Sequence, residues 1–204
     1  MKPITAQDRG AALGRLFRGI VHETSNWLNV ILMNAQLAEA SPEDTDTSLK
    51  TISTQARSGG DFLKQLSAFA GASSFNPHTR ATIAECVALA RNLLGSTARR
   101  TGTRLVIGAC DTTPRLLDTT GLGITLGLLF DALCQLEADE INVHCEGNAT
   151  VTIVVAANEL EWPLAEQDGS LSVRMAHAFC RDHGGELVQS TSQWRLKLPS
   201  PVSD

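Results

Sequence analysis

Residues 15–32, Arg15-Leu16-Phe17-Arg18-Gly19-Ile20-Val21-His22-Glu23-Thr24-Ser25-Asn26-Trp27-Leu28-Asn29-Val30-Ile31-Leu32, carry two stripes of opposite character. They sit in a proline-free run over residues 5–40. In that run Leu13, Phe17, Ile20, Thr24, Trp27 and Ile31 recur at steps of four and three, the apolar seam of an amphipathic helix. Arg15, Arg18, His22, Asn26 and Asn29 are spaced three, four, four and three and make a polar stripe. At 100° per residue His22 lies about 200° around the axis from Ile20, so the spacing predicts an imidazole that faces solvent.

Working outward, Ser41-Pro42-Glu43-Asp44 interrupts the helix, because proline disfavours helical backbone before it and the acidic residues suit a new N-terminus. Leu49, Ile52, Ala56, Gly59, Leu63, Leu66 and Ala70 then trace a second seam, which predicts an antiparallel helical hairpin over residues 1–71. Two helices leave both seams wet, and Leu16, Val21, Leu28 and Phe62 widen the apolar surface. A homodimer closing a four-helix bundle would bury it. Gly59-Gly60 conflicts locally with the helix, at roughly 1 kcal/mol per glycine, and implies close packing against a neighbour. Gly71-Ala72-Ser73-Ser74-Phe75-Asn76-Pro77 opens a linker, taken as residues 72–80.

Over residues 81–204 helical and strand patterns alternate. Helices are expected near 82–100, 119–136 and 171–183, and strands near 104–109, 140–145, 150–156 and 194–198. The whole reads as an α+β chain, a helical hairpin followed by an α/β sandwich with a mixed sheet.

A net charge of −5 gives no general attraction to nucleic acid or anionic lipid, and no apolar run approaches the roughly 20 residues of a membrane span. The expectation is a cytoplasmic protein with no nucleic-acid or membrane partner. Cys86, Cys110, Cys134, Cys145 and Cys180 show no Cys-x-x-Cys pair and no metal spacing, and read as reduced, buried, small hydrophobes. His78, His144, His177 and His183 have no ligand partners at recognisable spacing, so no metal site is expected.

A neutral imidazole is a nitrogen nucleophile near pH 7. Glu23 is placed to accept the other ring proton or orient the ring, and Asn26, one turn on, to align a water against an acyl phosphate. Gly19 removes a side chain beside the imidazole and would let another protein approach. Arg15, Arg18 and Asn29 would flank such a partner, the arginines attracting a phosphorylated acidic pocket.

Residues 19–32 resemble the H-box of sensor histidine kinases, where a histidine, an acidic neighbour and an asparagine or threonine four residues on precede a leucine. Trp27 stands where many members carry proline. Asp61-Phe62-Leu63-Lys64-Gln65-Leu66-Ser67-Ala68-Phe69-Ala70 is similar to the end of the same family's dimerisation and phosphotransfer domain. Residues 75–118 and His183-Gly184-Gly185-Glu186-Leu187 follow the order of its ATP-binding domain, which implies a kinase-type sandwich.

The resemblance also implies a degenerate one. The two asparagines that help hold magnesium and phosphate in that family align with Gly127 and Asp131. Ala157 and Glu159 fall where an adenine-reading aspartate and a glycine belong, and Ser170 and Ser172 fall at phosphate-loop glycines. About ten residues between Asn158 and Gly169 are few for the family's lid. The implied chain binds no ATP and no cofactor of its own. It is similar to dimeric histidine phosphotransferases of bacterial phosphorelays, passing a phosphoryl group between receiver-domain aspartates of response regulators through His22, with Mg2+ supplied by the receiver. Two alternatives stay open: a response-regulator phosphatase using Asn26, and a non-catalytic adaptor that binds receivers.

Overall fold

The computed structural model describes residues 3–72, 74–75, 79–146, 150–157, 170–190 and 193–199. Helix α1 spans Ala6–Ala40; Thr5 and Asp8 form its capping box, each side chain accepting from the other's backbone N–H. A 3-10 turn at Pro42–Asp44 reverses the chain into α2, Thr45–Gly71. The two helices pack as an antiparallel hairpin. Trp27 meets Phe62 edge-on at 5.1 Å, and a Cβ on Gly59 would sit 3.1 Å from the Trp27 ring, which is the close packing that glycine serves. Gly60 faces open space.

The remaining elements are β1 (Thr79–Ala81), α3 (Ile83–Thr101), β2 (Arg104–Ile107), β3 (Arg115–Leu117) and α4 (Thr119–Gln135). They continue with β4 (Glu140–Glu146), β5 (Val151–Ala157), α5 (Leu171–Asp182), β6 (Glu186–Gln189) and β7 (Gln193–Leu198). A five-stranded sheet runs β2-β4-β5-β7-β6, parallel between β2 and β4 and antiparallel elsewhere. Strands β4 and β7 alternate, and β5 does so except at Val154, which is buried as well. Ile141, Val143, Val151, Ile153, Val155, Leu196 and Trp194 point into one core with α3, α4 and α5, while Glu146, Arg195, Lys197 and Glu186 form ion pairs on the other face. The fold is thus the α+β arrangement expected, a helical hairpin followed by a helix-covered mixed sheet.

Three strands went unread in the sequence. Strands β1 and β3 form a separate two-stranded ladder of three residues each, and β1 begins inside the stretch expected as linker. Strand β6 is the four-residue edge.

The hairpin also departs from its expected seam. Phe17 is 63% exposed, whereas Arg9, Ala12, Leu16 and Gly19 are buried. The cause is that α1 lies on two surfaces at once: Trp27 faces α2, while Leu16 and Gly19 lie on the second half of the chain, against α3 and α4. Leu16 and Phe62, read as surface needing a partner, are therefore buried within the chain; Val21 and Leu28 remain exposed with Leu32, Met33 and Leu37. Arg9 has no exposed surface and stacks over Phe69 at 4.7 Å and Phe75 at 4.4 Å. No described helix is long and apolar enough to cross a membrane.

Candidate functional site around His22

The site lies where α1 crosses α3. A Cβ built on Gly19 would fall 1.6 Å from the Leu93 carbonyl oxygen, so the two backbones touch there and only glycine fits. The surface that approaches Gly19 is the chain's own α3, which replaces the expectation of an incoming protein. One turn on, His22 is exposed, as its place on the polar stripe predicts.

Both imidazole nitrogens are engaged. Asn26 Nδ2 lies 3.2 Å from Nδ1, and Arg99 Nη2, from the last turn of α3, lies 3.2 Å from Nε2. Both groups present N–H donors to the ring, and a neutral imidazole has a single lone pair, so it accepts from one of them at a time. With the lone pair at Nε2, a cation already stands beside the nitrogen that carries it.

Glu23 does not orient the ring. Its Oε1 accepts from Asn92 Nδ2 at 3.4 Å, on α3, and the task expected of it falls to Asn26. Arg15 Nε pairs with Asp131 Oδ2 at 3.5 Å across the α1–α4 contact. Arg18 and Asn29 are exposed, and Arg18 makes no ion pair among the described residues. The structure thus gathers His22, Asn26 and Arg99, leaves Arg18 and Asn29 on the open face, and turns Arg15, Gly19 and Glu23 towards the chain's own second half.

Arg99 was not legible in the sequence. It is 77 residues from His22, and with Arg100 it reads as the ordinary basic last turn of a helix, complementing the helix dipole.

The α4 positions of interest face the same helix. A Cβ on Gly127 would sit 3.2 Å from Leu16 Cδ1. Asp131 is buried, and burial pushes its carboxyl above the ordinary range, with Arg15 opposing. At the start of α5, Ser170 caps its own helix by accepting from Val173 N–H at 3.4 Å, and its hydroxyl lies 3.2 Å from that of buried Ser172. Ala157 ends β5, buried. Asn158, Glu159, Gly169 and His78 lie outside the described residues.

The other described histidines serve the fold or its surface. His183, just past α5, donates from Nδ1 to the Phe179 carbonyl at 2.9 Å and accepts at Nε2 from Asp118 N–H at 3.1 Å. Burial pushes its pKa down. His144 lies on the open sheet face, 3.3 Å from Glu146.

No family model and no curated protein matches the chain. Solved structures do, at low identity. The Acinetobacter baumannii histidine kinase AdeS superposes with a TM-score of 0.53 at 12% identity, over 88% of this chain and 98% of that one. The ATP-binding domain of PrrB from Mycobacterium tuberculosis gives 0.51 at 19%, over 62% and 99%. Histidine kinase ThkA, crystallised in complex with the response regulator TrrA, gives 0.51 at 14%, over 96% and 64%. The chain has a histidine kinase-like fold.

Proposed function

We propose that the protein is a histidine phosphotransferase that relays a phosphoryl group between receiver-domain aspartates through Nε2 of His22, without using ATP. The observation that carries this reading is the paired engagement of the ring: an exposed histidine with Asn26 at Nδ1 and Arg99 at Nε2. In the forward step the aspartyl P–O bond breaks as the P–N bond forms at Nε2. The aspartate leaves as a carboxylate, and Nδ1 keeps its proton. Arg99 turns from the lone pair to the phosphoryl oxygens, where a guanidinium binds in fork geometry. The second receiver reverses the step. Catalysis is positioning and charge neutralisation, with magnesium held by the receiver. Arg18 and Asn29 border the open face on which a receiver would dock, and exposed Val21, Leu28 and Leu32 would meet a second copy in a four-helix bundle.

Three contacts support a chain that works without a nucleotide. Leu16 rests against Gly127, Arg15 pairs with Asp131, and Ser170 uses its hydroxyl on the first turn of α5, at positions where the kinase resemblance puts phosphate and magnesium contacts. Asn26 is held by the ring of His22, which favours transfer over the hydrolytic alternative.

The test is to follow label from a radiolabelled phospho-receiver. Acid-labile label on the wild type and none on His22→Ala supports the relay. Loss of receiver label that depends on Asn26 and not on His22 would replace it with a phosphatase, and undisturbed label with an adaptor. Calorimetric titration with ATP checks the second half: micromolar binding would overturn that part of the reading.

A further inference from the structure

The five cysteines divide into two kinds. Cys86, Cys134 and Cys180 are at most 1% exposed, and burial pushes all three thiols up, Cys86 and Cys180 to about 12. Cys110 and Cys145 are only half-buried, and both pack against the margin of the core.

Backbone geometry brings these two together. Past the end of β2, Gly108 N–H donates to the Val143 carbonyl at 2.8 Å and Cys145 N–H donates to the Ala109 carbonyl at 2.9 Å, so the chain runs beside β4 for two further residues. Cys110 follows directly and lies beside Cys145, close enough for the two thiols to act on one another. Around them, the guanidinium of buried Arg115, fixed by Asp111 and the Pro199 carbonyl, adds positive charge. Cys110 also lines an open pocket of about 260 Å³ with Ala84, Ala88 and Arg91, so a small oxidant has a route in.

We propose that Cys110 and Cys145 are a redox-active dithiol that closes to an intramolecular disulfide on exposure to a peroxide and reopens with a dithiol reductant.

Cys145 is the attacking sulfur. The neighbouring Cys110 thiol lowers the pKa of Cys145, against burial, whereas that of Cys110 is pushed up. The Cys145 thiolate displaces hydroxide from hydrogen peroxide and becomes a sulfenic acid. The Cys110 sulfur then attacks that sulfur: the S–S bond forms, the S–O bond breaks, and the hydroxyl leaves with the thiol proton as water. Two electrons pass from the thiols to the peroxide. A dithiol reductant returns both thiols by exchange.

The link would tie the segment after β2 to β4. That segment touches the first turn of α3, where Ala84 N–H donates to the Asp111 carbonyl at 3.3 Å, and α3 also carries Arg99.

The experiment treats the purified full chain with hydrogen peroxide, alkylates the remaining thiols under denaturing conditions, and maps peptides by non-reducing mass spectrometry. The expected result is a Cys110–Cys145 linked peptide, loss of those two thiols alone, full recovery with dithiothreitol, and Cys86, Cys134 and Cys180 unchanged. Cys110→Ser should leave a sulfenic acid on Cys145 that dimedone traps, and Cys145→Ser should slow peroxide consumption roughly tenfold. Oxidation without the linked peptide, a link between chains in its place, or a Cys145→Ser protein that reacts as fast as wild type would overturn the proposal. Far-UV circular dichroism of both variants separates these outcomes from misfolding.

Discussion

Arg99 Nη2 stands 3.2 Å from Nε2 of His22, a contact between the last turn of α3 and the middle of α1. It places a fixed cation where a phosphoryl group on that nitrogen would carry its charge. Arg99→Ala is expected to slow phosphoryl arrival at His22 about tenfold to a hundredfold, with Arg99→Lys intermediate because it keeps the charge without the fork. Rapid-quench kinetics with a phospho-receiver measures this; rates equal to wild type in both variants would remove Arg99 from the reaction.

Gly19 and Gly60 make a matched pair for stability. Gly19→Ala drives a methyl into the Leu93 carbonyl and is expected to cost about 1–3 kcal/mol or more, whereas Gly60→Ala meets nothing within 4 Å and should stabilise α2 by about 0.5–1 kcal/mol. Urea unfolding reads both. Hydrogen exchange should show the Gly19→Ala loss concentrated in α1 and α3.

His183 predicts a pH dependence. Its folded pKa lies below the ordinary 6.5, because it is buried and Nε2 accepts from Asp118 N–H. The contribution is therefore complete above 6.5 and is lost as pH falls through the lowered folded value, when an added proton would confront that N–H. Thermal unfolding of wild type should lose stability from this source as pH falls below about 6.5, and His183→Gln should flatten that limb.

The apolar line left on α1 predicts assembly. Val21, Leu28 and Leu32 are 45–60% exposed, a surface that a second hairpin would cover. Sedimentation equilibrium should find dimers. Leu28→Asp should weaken them at least tenfold while leaving the circular dichroism spectrum of the monomer intact, since Leu28 touches little of its own chain.

The sequence carried the long elements because each has a strong period: α1 and α2 break at Ser41–Asp44 as proline requires, and β4 and β7 alternate. What it hid depends on contacts between distant segments. Phe17 fits the seam by spacing, yet the burial goes to Leu16 and Gly19 because α3 and α4 cover the adjacent face of α1. Strands β1 and β3 are three residues each, too short for a period to register. At the site, the histidine and its asparagine lie one turn apart and were legible; Arg99 comes from another helix, and Glu23, beside His22 in sequence, points to Asn92. The two half-buried cysteines, 35 positions apart in the chain, meet only because β2 and β4 are parallel neighbours.

The most direct test locates the phosphate. The protein is mixed with a phospho-receiver and magnesium in the absence of any nucleotide, digested at alkaline pH, and mapped by mass spectrometry. Phosphorus NMR of the intact protein assigns the nitrogen. The account predicts a phosphoryl group on Nε2 of His22, discharged when a second receiver is added. A protein that stays unphosphorylated with phospho-receiver, yet labels His22 when given magnesium and ATP alone, would contradict it.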